Sequence, residues 1–495
     1  MKYIATFDFG TTAVKGALVE TGGRIRRMES RDLNLILRDG FVEQDPAEWT
    51  AAFQEITGSF LREVSPEEII GIIMSGQMQD AVFLDRENRP IGHAILYQDG
   101  RAREEYEQAV AALGSDRLES IIWNGYTPTL VAPKIAWVRK HLPEVYARTR
   151  KIVFSPKDLI NALLTGVCAT DSTTASTVGA MDMLSKQWNP EILRALELDA
   201  NLFAPVLSPS AKVGEVTRAA AAEFGYRQGM PVFCGIGDAG STFFASGIMN
   251  PGEFSVTWGT TGMVGVIADQ PTKPLNGLWN LAAMVEDTYI QTVPFLNAGN
   301  VHKWISSVLT APDRLEAEGI DYAGISALLD LPHGRSGLLC LPFLTGERFP
   351  VVDPEAKGCF IGLTPATTRA DLVNACLEGV CFSVRQGMET MNLPCTKMIL
   401  VGGAARVTQW CQKLADILET DVTVLKHSDA LPSACIAAGA LRSLGLLDSY
   451  EAFVKKIQQE NGSAVYHPRE ELREYYRSCY EKYIRIYPAV KELFH

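Results

Sequence analysis

Two α/β domains facing one another across a cleft are the fold this sequence predicts, and three observations predict it. The chain has 495 residues, 47% of them hydrophobic, enough for two to four compact units with cores of their own. A β-turn-β element with a Gly-Thr-Thr tip occurs twice, at Phe9-Gly10-Thr11-Thr12 and at Trp258-Gly259-Thr260-Thr261, about half a chain apart. Each is followed by further strands alternating with helical segments. The repeat predicts two related halves, residues 1–245 and 246–495, with a ligand site between them.

The elements follow in order. Residues 3–9 are β-rich and end at Gly10-Thr11-Thr12; a second strand runs over 14–20, and Thr21-Gly22-Gly23 turns the chain into a third from Arg24. This is a meander of antiparallel strands. Asp45 before Pro46 is an N-cap followed by a proline at the first helical position, so a helix is predicted to Leu61. A buried strand over 69–74 runs into Ser75-Gly76-Gln77. In the second half, 230–236 is an apolar strand ending at Gly237-Asp238-Ala239-Gly240, with a short helix over 241–245. The repeated hairpin follows from Phe254. A strand over 397–401 leads into Gly402-Gly403-Ala404. Val407, Trp410, Cys411, Leu414, Ile417 and Leu418 then recur at helical spacing. Residues 421–425 form the next strand, and Pro432 opens a small-residue helix to Leu444. The tail from Arg469 is read as a docking helix, with Tyr475, Tyr476, Tyr480, Tyr483 and Tyr487 along it.

Composition removes several classes. With 46 Lys and Arg against 58 Asp and Glu, the formal charge is −12, which is not the footprint of a nucleic-acid binder. A bound phosphate must therefore be held by local donors. Asp8 interrupts the apolar stretch a signal peptide would use, and no segment reaches the length of a membrane span. Ten cysteines without a C-x-x-C pair read as buried thiols in a reducing cytoplasm.

Three motifs need weighing. Asp8-Phe9-Gly10 spells a protein-kinase signature, but only seven residues precede it and none of the accompanying loops can fit. Gly235-Ile236-Gly237-Asp238-Ala239-Gly240 satisfies G-x-G-x-x-G, yet Pro251-Gly252 interrupts the following stretch well before a βαβ unit could be completed. No G-x-x-x-x-G-K-[ST] is present.

What remains is a set of Gly/Thr turns at strand ends. Their backbone N–H groups and hydroxyls can cradle phosphate oxygens, with Lys15 adding a positive charge beside the first. Asp8, at the end of a buried strand, either caps the hairpin or holds Mg²⁺, an ion that takes few protein ligands beside phosphate. Asp238 either caps its short helix or accepts the proton of a hydroxyl in phosphoryl transfer.

These residues resemble the FGGY carbohydrate kinases, of the actin-like ATPase superfamily, and among them the branch that phosphorylates xylulose. The resemblance is carried by Asp8 to Thr12, Gly237-Asp238, Gly259-Thr260-Thr261 and Leu400 to Arg406, with further blocks at Glu43 to Pro46, Ser75 to Met78, Ile95 to Arg101, Ala132 to Lys134, Ser155 to Asp158 and Leu341 to Arg348. It implies two ribonuclease H-like domains with ATP and a sugar meeting in the cleft, sugar on the N-terminal side and nucleotide on the C-terminal side. Asp238 would be the catalytic base, and Mg²⁺ would lie at Asp8 and Asp238. ATP would contact Gly10, Thr11, Thr12, Lys15, Gly259, Thr260, Gly299, Lys303, Gly402, Gly403 and Arg406. The sugar would lie against Gln77, Met78, Gln79, Tyr97, Asp99, Arg101 and Asp238. Sugar and ATP are the expected partners, without nucleic acid or membrane, and a homodimer is left open.

The departures gather around the sugar: Gln79, Asp80, Tyr97 and Ala239 stand where the family usually has His, Gly, Trp and Asn. A primary hydroxyl of a ketopentose such as D-xylulose is the expected acceptor. The alternatives are L-xylulose, ribulose, a deoxyketose, a polyol or gluconate, and, outside catalysis, a nucleotide switch or a sugar-sensing pseudokinase.

Overall fold

A computed structural model describes residues 1–275, 277–330 and 337–495. In the first half, β1 (Tyr3–Phe9), β2 (Ala13–Glu20) and β3 (Ile25–Asp32) form the antiparallel meander. α1 (Pro46–Leu61) begins where Asp45 accepts a hydrogen bond from the Ala47 N–H, and it buries Trp49, Phe53, Ile56 and Phe60. β4 (Ile69–Gly76) lies parallel to β1. α2 (Val131–His141) belongs to a separate cluster of helices with its own apolar core. Beyond it come β5 (Lys212–Glu215), β6 (Pro231–Phe233) and β7 (Ile236–Gly237). The sheet order is β5-β6-β4-β1-β2-β3, with β7 also on β4.

The second half opens after α3 (Asp238–Ala245). Its sheet takes β8 (Glu253–Trp258), β9 (Gly262–Ala268), β10 (Trp279–Ala282), β11 (Tyr289–Phe295), β12 (Lys397–Val401), β13 (Val422–Leu425) and β14 (Ser463–Tyr466) in the order β10-β11-β9-β8-β12-β13-β14. With β10 set aside, this is the order of the first sheet, including the antiparallel hairpin, the parallel strands beside it and the antiparallel edge. The repeat seen in two Gly-Thr-Thr tips thus extends to whole sheets.

Around the second sheet pack α4 (Gly299–Leu309), α5 (Arg369–Met391) and α6 (Thr408–Leu418). The Trp258 and Trp410 rings stack at 4.3 Å between β8 and α6. The small-residue helix is two, α7 (Leu431–Cys435) and α8 (Ala437–Ser443). Small side chains let it approach closely: a methyl group on Gly439 would lie 2.7 Å from Ile73 Cδ1 of the first sheet. The apolar cluster at this join takes Ile4, Ala17 and Ile73 from one half and Ile399, Val401 and Leu441 from the other. α9 (Arg473–Tyr483) docks its tyrosines on α5, with Tyr483 packed on Phe382 and its hydroxyl 2.8 Å from Ser383 Oγ.

One expected strand is broken. Residues 230–236 form β6 and β7, separated at Cys234-Gly235. Gly235 has φ +79°, and a Cβ there would stand 1.9 Å from the Met74 carbonyl oxygen. The break is a one-residue shift of register: β6 and β7 both lie parallel to β4, β7 on Ser75-Gly76, and Asp238 follows at the end of β4. Gly235→Ala combines a left-handed backbone with a backbone clash. It is expected to cost about 3 kcal/mol or more, read as a lower calorimetric melting temperature together with loss of activity.

Candidate active site

Asp8 and Asp238 arrive from either side of β4. Asp8 is the penultimate residue of β1, opposite Ser75 on one neighbour and Lys15 on the other. Ser75 Oγ donates to Asp8 Oδ1 at 2.7 Å. Burial pushes the Asp8 carboxyl up, against the Ser75 hydrogen bond and the Lys15 charge. Asp238 opens α3: Gly237 occupies the cap position, and the Asp238 carboxylate accepts from the Ala239 N–H at 2.7 Å. The capping alternative is thereby corrected, since Asp238 is the first residue inside the helix. Burial, then the charge of Asp8, raise its pKa to about 7, with the Ala239 N–H opposing. A carboxylate poised there can take a proton from a hydroxyl near neutral pH.

Both acids line one cavity of about 480 Å³, with Thr11, Gln77, Met78, Gln79 and Tyr97 of the first half and Met263, Trp279, Thr292 and Pro294 of the second. The wall is built by connected hydrogen bonds. Trp49 Nε1 and Gln77 Nε2 both donate to Gln44 Oε1, Gln44 Nε2 donates to the Thr11 carbonyl, and Thr11 Oγ1 donates to Gln77 Oε1 at 2.9 Å. The network ties the first hairpin tip to the loop after β4. Gln79 sits at φ +70° and donates to the Thr129 carbonyl. Gly237 leaves space for Met78, whose Sδ would be 2.4 Å from a Cβ there.

Asp99 and Arg101 lie outside this cavity. Asp99 accepts from the Val42 N–H and from Arg101, and Arg101 also pairs with Glu43 while stacking on Phe41 and Trp137. The arginine side chain is 3% exposed, its donors taken by Asp99 and Glu43 and its faces by Phe41 and Trp137. The second-half lining residues carried no signal of their own in the sequence. They come from strands whose inward positions look like ordinary core.

The two hairpin tips differ by one residue, Phe9 facing Val14 and Trp258 facing Gly262. Gly10 N donates to the Ala13 carbonyl at 3.0 Å, and Gly259 N to the Thr261 carbonyl at 2.9 Å, leaving Thr12 and Thr260 exposed. The start of α4 rests on the second tip, Gly299 N donating to Gly259 O and Asn300 N to Thr260 O. A Cβ on Gly299 would be 2.4 Å from Gly259 O, and one on Gly402 (φ +105°) would be 2.3 Å from Trp258 O. Glycine at both points brings three segments together. Gly402, Gly403 and Arg406 line a second cavity of about 550 Å³ with Lys426, Ser428 and Tyr466 among others, and Gly259, Thr260, Gly299 and Lys303 are not among its lining residues. Arg406 is exposed, 3.8 Å from Asp429, and Lys303 is exposed on the first turns of α4. No helix of the described residues is long and apolar enough to cross a membrane.

Paired sheets of one topology, Gly/Thr hairpins and two carboxylates at one cavity define a two-domain kinase of the actin-like ATPase fold. The N-terminal-domain model of the FGGY family of carbohydrate kinases matches residues 3–245, and the C-terminal-domain model matches 254–441. The chain belongs to the FGGY family of carbohydrate kinases. Among its relatives, a xylulose kinase of Lactococcus lactis is 28% identical, over 100% of this chain and 98% of that protein. A gluconokinase of Bacillus subtilis is 26% identical, over 98% and 95%. The crystal structure of xylulose kinase from Rhodospirillum rubrum superposes with a TM-score of 0.88 at 25% identity, covering all of both chains.

Proposed function

We propose that this ATP-dependent sugar kinase phosphorylates a primary hydroxyl of a neutral ketopentose, with D-xylulose the favoured substrate. One observation carries the reading: Asp8 and Asp238 share a cavity whose other lining groups are amides, hydroxyls, thioethers and apolar side chains. Among the described residues that line it there is no lysine, arginine or histidine. The xylulose kinases among its relatives support the choice of sugar. A sugar acid would bring a carboxylate to a site already holding two, and like charges brought together cost several kcal/mol.

In this reading residues 1–245 form the sugar-side domain and 246–495 the nucleotide-side domain. The sugar lies against Gln77, Met78, Gln79 and Tyr97. Asp238 accepts the proton of the reacting hydroxyl while its oxygen bonds to the γ-phosphorus and the bond to the ADP oxygen breaks. The N–H groups of Thr11 and Thr12 and of Thr260 orient the phosphates, with Gly10 and Gly259 shaping the turns and Lys15 beside them. Gly299, Lys303, Gly402, Gly403 and Arg406 frame the nucleotide. An oxygen-only donor set of two carboxylates, both raised by burial, fits Mg²⁺ at Asp8 and Asp238. When bound, the ion supplies charge neutralisation on the phosphate oxygens. The ten cysteines are unbridged, in keeping with work in the cytoplasm.

An ADP-release assay over D-xylulose, L-xylulose, ribulose, polyols and gluconate tests the substrate class. The neutral ketopentoses are expected to exceed gluconate by about a hundredfold or more in kcat/KM, the factor set by a like-charge cost of several kcal/mol. Preference for gluconate contradicts the reading.

Asp238→Asn is expected to lower kcat by about 10²–10⁴-fold with little change in sugar KM. In the parent enzyme the base works only when deprotonated. With its pKa raised to about 7, kcat/KM should fall tenfold per pH unit below that point and level off above it. A flat profile from pH 5.5 to 8 removes Asp238 from the base role.

A further inference from the structure

β10 is the edge strand of the second sheet, with β11 as its neighbour. The backbone groups on the outer edge of such a strand need partners when they are buried. Here the first half supplies them from side chains. Asn124 Oδ1 accepts from the Asn280 N–H at 2.6 Å, and Asn124 Nδ2 donates to the Asn280 carbonyl at 2.9 Å. Two residues on, Ser176 Oγ accepts from the Ala282 N–H at 3.0 Å, and Thr173 Oγ1 donates to the Ala282 carbonyl at 2.6 Å. Asn124, Thr173, Ser176 and Asn280 are all buried. One amide and two hydroxyls thus stand in for a neighbouring strand across the join between the halves. The anchors are tied to each other as well: Asn124 Nδ2 also donates to the Ser176 carbonyl, and Asn280 Nδ2 to the Trp123 carbonyl.

Side chains alternate along a strand, so an edge held at Asn280 and Ala282 fixes where Trp279 and Leu281 stand. Both line the cavity of Asp8 and Asp238, as does Thr177, the residue after Ser176. Trp279 also packs against the helix cluster of the first half that contains α2. We infer that Trp279, with Leu281, is a sugar-selecting residue lent to the cavity by the second half, and that Asn124 is the positioning residue that holds it there. The inference rests on the reading of this cavity as the sugar site. Ketopentose epimers differ in which side of the carbon chain carries each hydroxyl. A hydroxyl turned toward an indole and a leucine side chain loses its partners in water and gains none, whereas its epimer, turned toward the polar groups of the cavity, stays paired. An apolar wall selects in this way only while it is fixed, and the side chains of the first half fix it.

The test compares Trp279→Leu, Trp279→Phe and Asn124→Ala with the parent enzyme, by sugar and ATP kinetics over a panel of ketopentose epimers and by hydrogen exchange at β10. Trp279→Leu is expected to raise KM for the best sugar about tenfold and to shrink the spread among epimers by a similar factor. Its kcat and its KM for ATP stay close to parental, and Trp279→Phe, which keeps a flat apolar ring, restores most of the spread. Asn124→Ala is expected to give the same kinetic pattern and to speed exchange at the Asn280 amide, which Trp279→Leu leaves protected. Parental sugar KM and epimer ranking in Trp279→Leu overturn the inference. An Asn124→Ala enzyme that does not fold, or that exchanges faster at Asn280 yet keeps the parental ranking, overturns the positioning role of Asn124, and Trp279→Leu then decides the selecting role alone. A parent enzyme that releases no ADP with any ketopentose sinks the underlying substrate reading instead, which separates the two failures.

Discussion

Two like charges held together away from bulk water are the constraint around which this molecule is arranged. Asp8, near the end of β1, and Asp238, the first residue of α3 after β7, come from either side of β4, and the charge of Asp8 raises the cost of ionising Asp238. The protein meets that cost locally and incompletely. Ser75 donates to Asp8, the Ala239 N–H donates to Asp238, and Lys15 stands opposite Asp8 across the hairpin. What is left uncompensated makes the site attractive to a cation and to a proton, the two charges that a phosphoryl transfer must manage. Full neutralisation by arginine would have produced a stable but inert cluster, as the Asp99–Arg101–Glu43 group a short distance along the chain illustrates.

The glycines serve this arrangement by letting backbones touch. Gly235 permits the one-residue register shift along β4 that precedes Asp238. Gly299 and Gly402 let the start of α4 and the turn after β12 close on the second hairpin tip. At the join between the halves, α8 carries small residues against the first sheet, so the floor of the cleft is a continuous apolar layer and its walls are the two hairpins. One topology used twice thus accompanies two cavities, one holding Asp8 and Asp238 and one lined by Gly402, Gly403, Arg406 and Lys426.

Much of this was legible in the sequence because it depends on local chemistry. The Asp45-Pro46 helix start, the strand over 397–401 and the amphipathic stripe of Trp410, Cys411, Leu414 and Ile417 follow from capping, β-propensity and period. The hairpin repeat followed from two short matching turns. What escaped depends on contacts distant in sequence. Nothing near Cys234-Gly235 signals the break in the strand, where the Met74 carbonyl leaves no room for a side chain. Asp99 and Arg101 look like sugar ligands along the chain, and only the arrival of Phe41, Glu43 and Trp137 gives them another task. The second-half wall of the cavity, from Met263, Trp279, Thr292 and Pro294, has no sequence pattern, because inward residues of a strand look the same whether they meet a core or a ligand. Asp80 was visible as an unusual residue, but its full burial required the fold.

A crystal structure with D-xylulose and a non-hydrolysable ATP analogue tests most directly whether one cavity brings a sugar hydroxyl to Asp238 while the hairpin tips hold the nucleotide. A primary hydroxyl is expected within hydrogen-bonding distance, about 2.6–3.2 Å, of the Asp238 carboxylate, with the terminal phosphate between the Gly10 and Gly259 turns. A sugar bound away from Asp238, or a nucleotide whose phosphates point out of the cleft, would contradict it.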